Sequence, residues 1–260
     1  MTAQNLNIFQ HSRFDEIQNY TAIRLGCDVD ALKNPGSVIL SAKQKAYKDF
    51  MEPSSLDEAD IISLTQMENC SIVRKNTKET EAVKNILEQI DCSKKLSPED
   101  FLQFDNVKQD GYEEPYFYLN PKDFKIFPDT NIIELSKDNP EHIAMVASLH
   151  ETVEEKMRWF SEIEHPVVYG YILDQKIVGI ASHFLFESPD FKVAAGGVLV
   201  NPEYRRRNIG KAVVSKICEW ALQRDYIVEW SSWDKNVASI ALAESLGFKQ
   251  FSSEYEFSVS

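Results

Sequence analysis

The chain has 260 residues, of which 43% are hydrophobic and 27% charged, with a net charge of −13. Domains usually run about 100–200 residues, so one large or two medium domains with a packed core are expected. The acidity excludes nucleic acid and an anionic membrane surface as expected partners, because both select a concentrated basic surface.

The same acidity suits a cationic small molecule, although it also serves plain solubility. The four cysteines, Cys27, Cys70, Cys92 and Cys218, are far apart and form no CxxC pair. Neither a metal site nor a disulfide framework is therefore expected, and free thiols are. Residues 1–5 show no basic segment leading into an apolar run, and no stretch reaches the ~18 apolar residues of a membrane span. A cytoplasmic location is the expectation.

In chain order, residues 12–26 read as a helix with apolar Phe14, Ile17, Ile23 and Leu25 and a Gly26 stop. Ser37-Val38-Ile39-Leu40-Ser41 reads as a strand. Helices are expected at 56–66 and 78–90, the second from the stripe Ala82, Val83, Ile86, Leu87 and Ile90. Ser97-Pro98-Glu99-Asp100 has the cap, proline and early acids of a helix start. Residues 111–128 are aromatic and turn-rich, with prolines at 115, 121 and 128. A domain boundary is expected there, dividing 1–127, a smaller mixed α/β domain, from 128–260.

The second half changes rhythm. Ile132-Ile133-Glu134-Leu135 reads as a strand, Asn139-Pro140-Glu141 as a helix start, and 153–163 as a second helix. Two strands, Val167 to Leu173 and Lys176 to Phe186, meet at Asp174-Gln175 as a hairpin. A third strand, Phe191 to Val200, carries a weakening Gly196-Gly197 pair. A helix over 210–224, a strand over 227–233, a helix over 236–246 stopped by Gly247, and a strand over 249–258 complete the chain. The order β-α-α-β-β-β-α-β-α-β predicts an α/β (α+β) fold with a mixed sheet and helices on both faces.

The most informative stretch is Gly197-Val198-Leu199-Val200-Asn201-Pro202-Glu203-Tyr204-Arg205-Arg206-Arg207-Asn208-Ile209-Gly210-Lys211-Ala212. It is a strand, a basic glycine-containing turn, and a helix N-terminus. Such a turn aims backbone N–H groups outward and adds the positive end of a helix dipole, which together suit a diphosphate. Arg205, Arg206, Arg207 and Lys211 add positive charge to an otherwise acidic chain. A solvated basic loop ahead of an ordinary helix is the plainer alternative.

This arrangement resembles the acetyl-CoA motif of the GNAT superfamily of N-acetyltransferases, [Gln/Arg]-x-x-Gly-x-[Gly/Ala] at the head of a helix. In register from Pro202 the matching positions are Arg205, Asn208 and Gly210, so Asn208 replaces the first glycine. Asn is the non-glycine residue that best tolerates left-handed geometry. A second frame, Arg207, Gly210 and Ala212, fits without substitution, and both imply the same turn. Trp233-Asp234-Lys235-Asn236-Val237-Ala238-Ser239 with Ala243-Glu244-Ser245-Leu246-Gly247-Phe248 resembles the family's Asn-x-x-[Ala/Ser]…Leu-Gly-Phe helix. The two-part layout also resembles a group that includes zwittermicin-resistance-like acetyltransferases.

The resemblance implies a GNAT-like fold over about 120 residues and acetyl-CoA as cosubstrate, without a metal. It implies diphosphate contacts from Arg205, Arg206, Arg207, Asn208, Ile209, Gly210, Lys211 and Ala212, and pantetheine contacts from the backbone of Val198, Leu199 and Val200. Asn236 and Ser239 are implied beside the pantetheine arm. The acid that many relatives carry as Tyr in the last helix is Ala243 here. Glu229 and His183 are the candidate proton carriers, with His150 and Glu151 behind them. Trp159, Phe160, Trp230 and Trp233 are candidate pocket residues. The expected partner is a small-molecule primary amine, and a homodimer is allowed for. A noncatalytic acyl-CoA sensor and a protein N-acetyltransferase are the alternatives.

Overall fold

The computed structural model of the chain describes residues 9–41, 59–154 and 162–260. The chain divides into two compact units, one of residues 1–117, 231–237 and 250–260, the other of residues 118–230 and 238–249. The expected single cut after residue 127 is thus replaced by an interleaved division. Its cause lies in strand pairing: the last strand belongs beside one of the first.

In the first unit, helix α1 (Phe14–Leu25) and the short α2 (Asp30–Lys33) precede strand β1 (Gly36–Ser41). Strands β2 (Ile61–Gln66) and β3 (Cys70–Lys75) follow, then α3 (Glu81–Gln89), α4 (Glu99–Leu102) and β4 (Val107–Leu119). The last strand, β10 (Lys249–Val259), pairs antiparallel with β2 from Ser253↔Gln66 to Ser258↔Ile61. β3 joins β2 antiparallel and β1 parallel. Thr80 caps α3 by accepting from the Val83 N–H at 3.3 Å. The apolar face of α3 then packs Val83, Ile86 and Leu87 against Ile62, Leu64 and Phe257.

Two expectations fail in this unit. The helix expected over 56–66 is, from Ile61 on, strand β2, while 56–58 lie outside the described residues. Ile61 to Thr65 are all buried, the polar Ser63 and Thr65 included, and an alternation this short gives a weak strand signal. The aromatic stretch after Gly111 was expected as turns. It is instead the second half of β4, with Tyr116, Phe117, Tyr118 and Leu119 buried.

The second unit is built from β5 (Ile132–Glu134), α5 (Pro140–His150), β6 (Val167–Leu173), β7 (Lys176–Ser188), β8 (Phe191–Val200), α6 (Ile209–Leu222), β9 (Ile227–Ser231) and α7 (Val237–Leu246). Its strands lie in the order β9-β8-β7-β6-β5. The β8/β9 pair is parallel and the others antiparallel. Asn139 caps α5 through its side-chain oxygen, which accepts from the Glu141 N–H at 2.9 Å. The hairpin turns at Asp174 and Gln175, both with positive φ, which matches the twist of the flanking strands.

The helices take opposite faces of this sheet. Ile180 and Leu199 pack with Val146 and Leu149 of α5. The neighbouring Gly179 faces the other way, where an added Cβ would come within 2.5 Å of Ile209 at the start of α6. The helix expected over 153–163, with Trp159 and Phe160, lies largely outside the described residues. Among the described residues no helix is long and apolar enough to cross a membrane.

Candidate active site

Strands β8 and β9 part company early. Their parallel ladder holds only Val193↔Ile227, Ala194↔Val228 and Ala195↔Glu229, whereas β8 continues to Val200. On its other side β8 stays paired with β7 throughout, through Val198↔Ala181, Leu199↔Ile180 and Val200↔Gly179. Successive backbone groups of a strand point to alternate sides. The stretch from Gly196 to Val200 therefore presents backbone donors and acceptors toward β9 that no residue of β9 takes up in the ladder. That is the edge an extended amide chain such as pantetheine can join as an extra strand.

Where β8 ends, the turn leads into α6. Asn201 caps a short 3₁₀ turn, Pro202–Tyr204, by accepting from the Glu203 N–H at 3.0 Å. Arg206 and Asn208 both have left-handed backbone, at φ 61° and 62°. Asn208 is the N-cap of α6, and its side chain makes no cap hydrogen bond. The first N–H groups of a helix have no intrahelical acceptor, so this 14-residue helix presents them outward with its positive dipole end. Arg205, Arg206 and Arg207 surround the turn and are exposed. Arg205 donates from Nε to the Val200 carbonyl at 3.3 Å, and the Arg207 guanidinium lies 5.2 Å from the Tyr204 ring centroid. Lys211, one turn into the helix, lies over the Phe127 ring. An open helix N-terminus ringed by cations fits a diphosphate.

Of the expected site residues, 198–200, 205–212 and Ser239 fall in one compact unit, while Asn236 falls in the segment 231–237 of the other. Ser239 accepts a hydrogen bond from the indole N–H of buried Trp230 at 3.0 Å. Trp233 is 55% exposed and tilted against Tyr112, with ring centroids 5.6 Å apart.

The two candidate proton carriers lie on opposite faces of the sheet. Glu229 pairs with Ala195, and His183 with Gly196, the next residue along β8. Adjacent residues of a strand point to opposite sides. His183 shares its face with Gly179 and α6, is 2% exposed, and burial pushes its pKa down to about 3. It is a neutral core imidazole. Glu229, 5% exposed, sits on the face of α5 at the last rung before the strands part. Its Oε2 accepts the phenol O–H of Tyr118 at 2.5 Å. Tyr118 was not singled out from the sequence, because a lone aromatic in a run of aromatics gives no sign of its partner 111 positions away.

His165 was missed as well. It precedes β6, and its Nδ1 lies 2.6 Å from the Ser182 hydroxyl on the same face as Glu229. Its ring centroid is 4.0 Å from that of Phe184, and burial pushes its pKa down to about 4. A cavity of about 470 Å³ lies between α5 and the hairpin, lined by Glu141, Met145, Thr152, Gln175, Asn201 and Tyr204. It opens beside the basic turn, six residues and roughly 20 Å along β8 from Ala195, the partner of Glu229. Among the described residues no three His, Cys, Asp or Glu side chains gather to hold a metal ion. All four cysteines are free.

Residues 130–248 match the family model of the Acetyltransferase (GNAT) family. An acetyltransferase from the GNAT family of Colwellia psychrerythraea is similar in structure, at 17% identity and TM-score 0.49, over 60% of this chain and 59% of that one. A GCN5-related N-acetyltransferase-like protein from Streptococcus suis is similar over 78% of this chain and 85% of its own, at 14% identity and TM-score 0.41. The aminoglycoside N-acetyltransferase AAC(6')-Iy, in complex with CoA, is similar over 46% of this chain and 92% of its own, at 17% identity and TM-score 0.37. No curated protein matches the chain. Over residues 130–248, a little under half its length, the chain is thus similar to the GNAT acetyltransferase family.

Proposed function

We propose that the protein transfers the acetyl group of acetyl-CoA to a primary amine on a small molecule, by direct attack within a ternary complex. The observation that carries this reading is the edge of β8 left open from Gly196 to Val200, leading straight into the uncapped N-terminus of α6. In this reading the diphosphate takes the N–H groups of 209–211 with Arg205 to Arg207, and pantetheine lies along β8. A backbone N–H of the open edge then polarises the thioester carbonyl and stabilises the tetrahedral oxyanion. Holding amine and thioester together supplies much of the remaining acceleration. A net charge of −13 favours encounter with cationic amines.

Glu229, held by Tyr118 at the fork of the strands, is the proposed anchor for the ammonium or a proton acceptor for it. Glu229→Gln is expected to lower turnover while leaving acetyl-CoA affinity unchanged; unaltered turnover removes Glu229 from the mechanism.

The test begins with calorimetric titration of acetyl-CoA into the wild type, Arg205→Ala and Gly210→Asp. Micromolar binding weakened in both variants is the expected result. CoA release is then followed with a polyamine, an aminoglycoside and a peptide with a free N-terminus. Turnover of the peptide alone would turn the reading toward protein N-acetylation, and binding without turnover of any amine toward an acyl-CoA sensor. Absence of binding by the folded wild type overturns the reading.

A further inference from the structure

On the sheet face that carries α5, three polar side chains stand across neighbouring strands. His165, just before β6, lies against Ser182 and Phe184 of β7, and Glu229 lies beyond β8 on β9. Nδ1 of His165 is committed to the Ser182 hydroxyl at 2.6 Å, and the Phe184 ring lies against the imidazole. These two contacts fix the ring, and Nε2 is the ring nitrogen that Ser182 does not take up. Ser182 is itself buried and pairs with Gly197, which belongs to the open edge of β8. One strand spacing, roughly 5 Å, separates Ser182 from that edge.

We propose that Nε2 of His165 accepts the proton of the attacking amine, with Ser182 as the positioning residue that holds the ring. The proposal rests on the transfer reading given above. The amine lone pair attacks the thioester carbon, the new C–N bond forms, and collapse of the adduct breaks the C–S bond with its electron pair on sulfur. Nε2 takes the N–H proton of the adduct, and that proton is the one the departing thiolate needs. A neutral amine and acetyl-CoA thus give an N-acetylamine and CoA thiol with no net proton change.

Burial keeps His165 neutral, with a pKa pushed down to about 4, so at neutral pH the resting ring keeps one unprotonated nitrogen free to accept. An imidazole this weakly basic would not strip a free ammonium. It acts on the adduct, whose N–H is more acidic than a free ammonium's because the attached carbon bears electron-withdrawing oxygen and sulfur. His165 is partly exposed, which distinguishes it from buried His183 on the opposite face.

The test uses the full-length protein with acetyl-CoA and an amine that it turns over. His165→Ala and His165→Asn are compared with the wild type; Asn keeps a hydrogen-bonding group toward Ser182 but has no basic nitrogen. Both are expected to lose about 100-fold in kcat, the usual worth of a positioned proton acceptor, while the Kd for acetyl-CoA stays the same. Added imidazole is expected to restore part of the rate in His165→Ala but not in His165→Asn. Ser182→Ala is expected to lose about tenfold in kcat and to regain nothing with imidazole. Either His165 variant keeping kcat within about threefold of wild type, or a loss in His165→Ala that imidazole leaves untouched, overturns the assignment while leaving acetyl transfer intact. A wild type that releases no CoA with any amine overturns both.

Discussion

His183 is held neutral beside Gly196, and a buried imidazole whose pKa is pushed down to about 3 makes the fold sensitive to acid. Below about pH 6.5 the unfolded chain takes up a proton that the folded chain refuses, so stability rises with pH between about 3 and 6.5 and is lost on acidification. The slope from this group is about 1 kcal/mol per pH unit. His165 acts in the same direction, with a smaller share because it is less completely buried. Guanidinium unfolding at pH 7 and pH 5, where most carboxylates are still ionised, is expected to show lower stability at pH 5. His183→Gln should flatten that difference; an unchanged difference would place the acid sensitivity elsewhere. Gly196 has a separate reason for being glycine: a Cβ there would lie 1.8 Å from the Ser182 carbonyl oxygen. Since that oxygen is backbone, the strand itself must move, and Gly196→Ala is expected to cost roughly 2–4 kcal/mol. A melting temperature equal to wild type would show that the sheet yields there freely.

At the scale of elements, the turn before α6 was legible because its chemistry is local. Proline, arginines and a helix-opening glycine fall within nine residues, and Asn208 was expected in the left-handed region where it is found, at φ 62°. Asn208→Ala is expected to destabilise the protein by about 1 kcal/mol, the cost of a Cβ without Asn's tolerance of that geometry. Asn208→Gly should be close to neutral and keep acetyl-CoA affinity. Calorimetry and a melting curve on each variant check this. Equal stability of Asn208→Ala and wild type would contradict the backbone argument. The parting of β8 from β9 was readable only through family resemblance, because nothing in Ile227 to Ser231 states where pairing stops. The helix expected over 56–66 failed for a related reason. Ile62-Ser63-Leu64-Thr65 does alternate apolar and polar as a strand does, but over only four residues, and all four are buried. Tyr118–Glu229 and His165–Ser182 were invisible because a pair joined across strands leaves no spacing in the sequence.

For the whole molecule, the division into two units follows the sheet and not the order of residues. The first unit draws on residues 1–117, 231–237 and 250–260, and Phe257 stacks on Phe101 with centroids 4.8 Å apart inside its core. A fragment of residues 1–127 lacks β10, and with it Phe257 and Val259 from the core that Ile62, Leu64 and Val83 form. Such a fragment is expected to show no cooperative thermal transition, measured by circular dichroism; a sharp transition would show that residues 1–127 fold unaided. Sequence composition pointed to a boundary near residues 120–132, because prolines and turns cluster there, but composition carries no trace of a strand that returns from the far end.

The return of β10 to β2 also fixes a timetable. Ribosomes deliver the chain from Met1 onward, and β10 emerges after every other described element. The 118–230 segment can begin to collapse while the exposed edge of β2, with Ile62 and Leu64, still waits for its partner. During translation the early strands therefore present an apolar, unpaired edge for the time needed to make nearly 190 further residues, on the order of 10–40 seconds at bacterial-to-eukaryotic elongation rates. That interval is when nascent-chain chaperones are needed most.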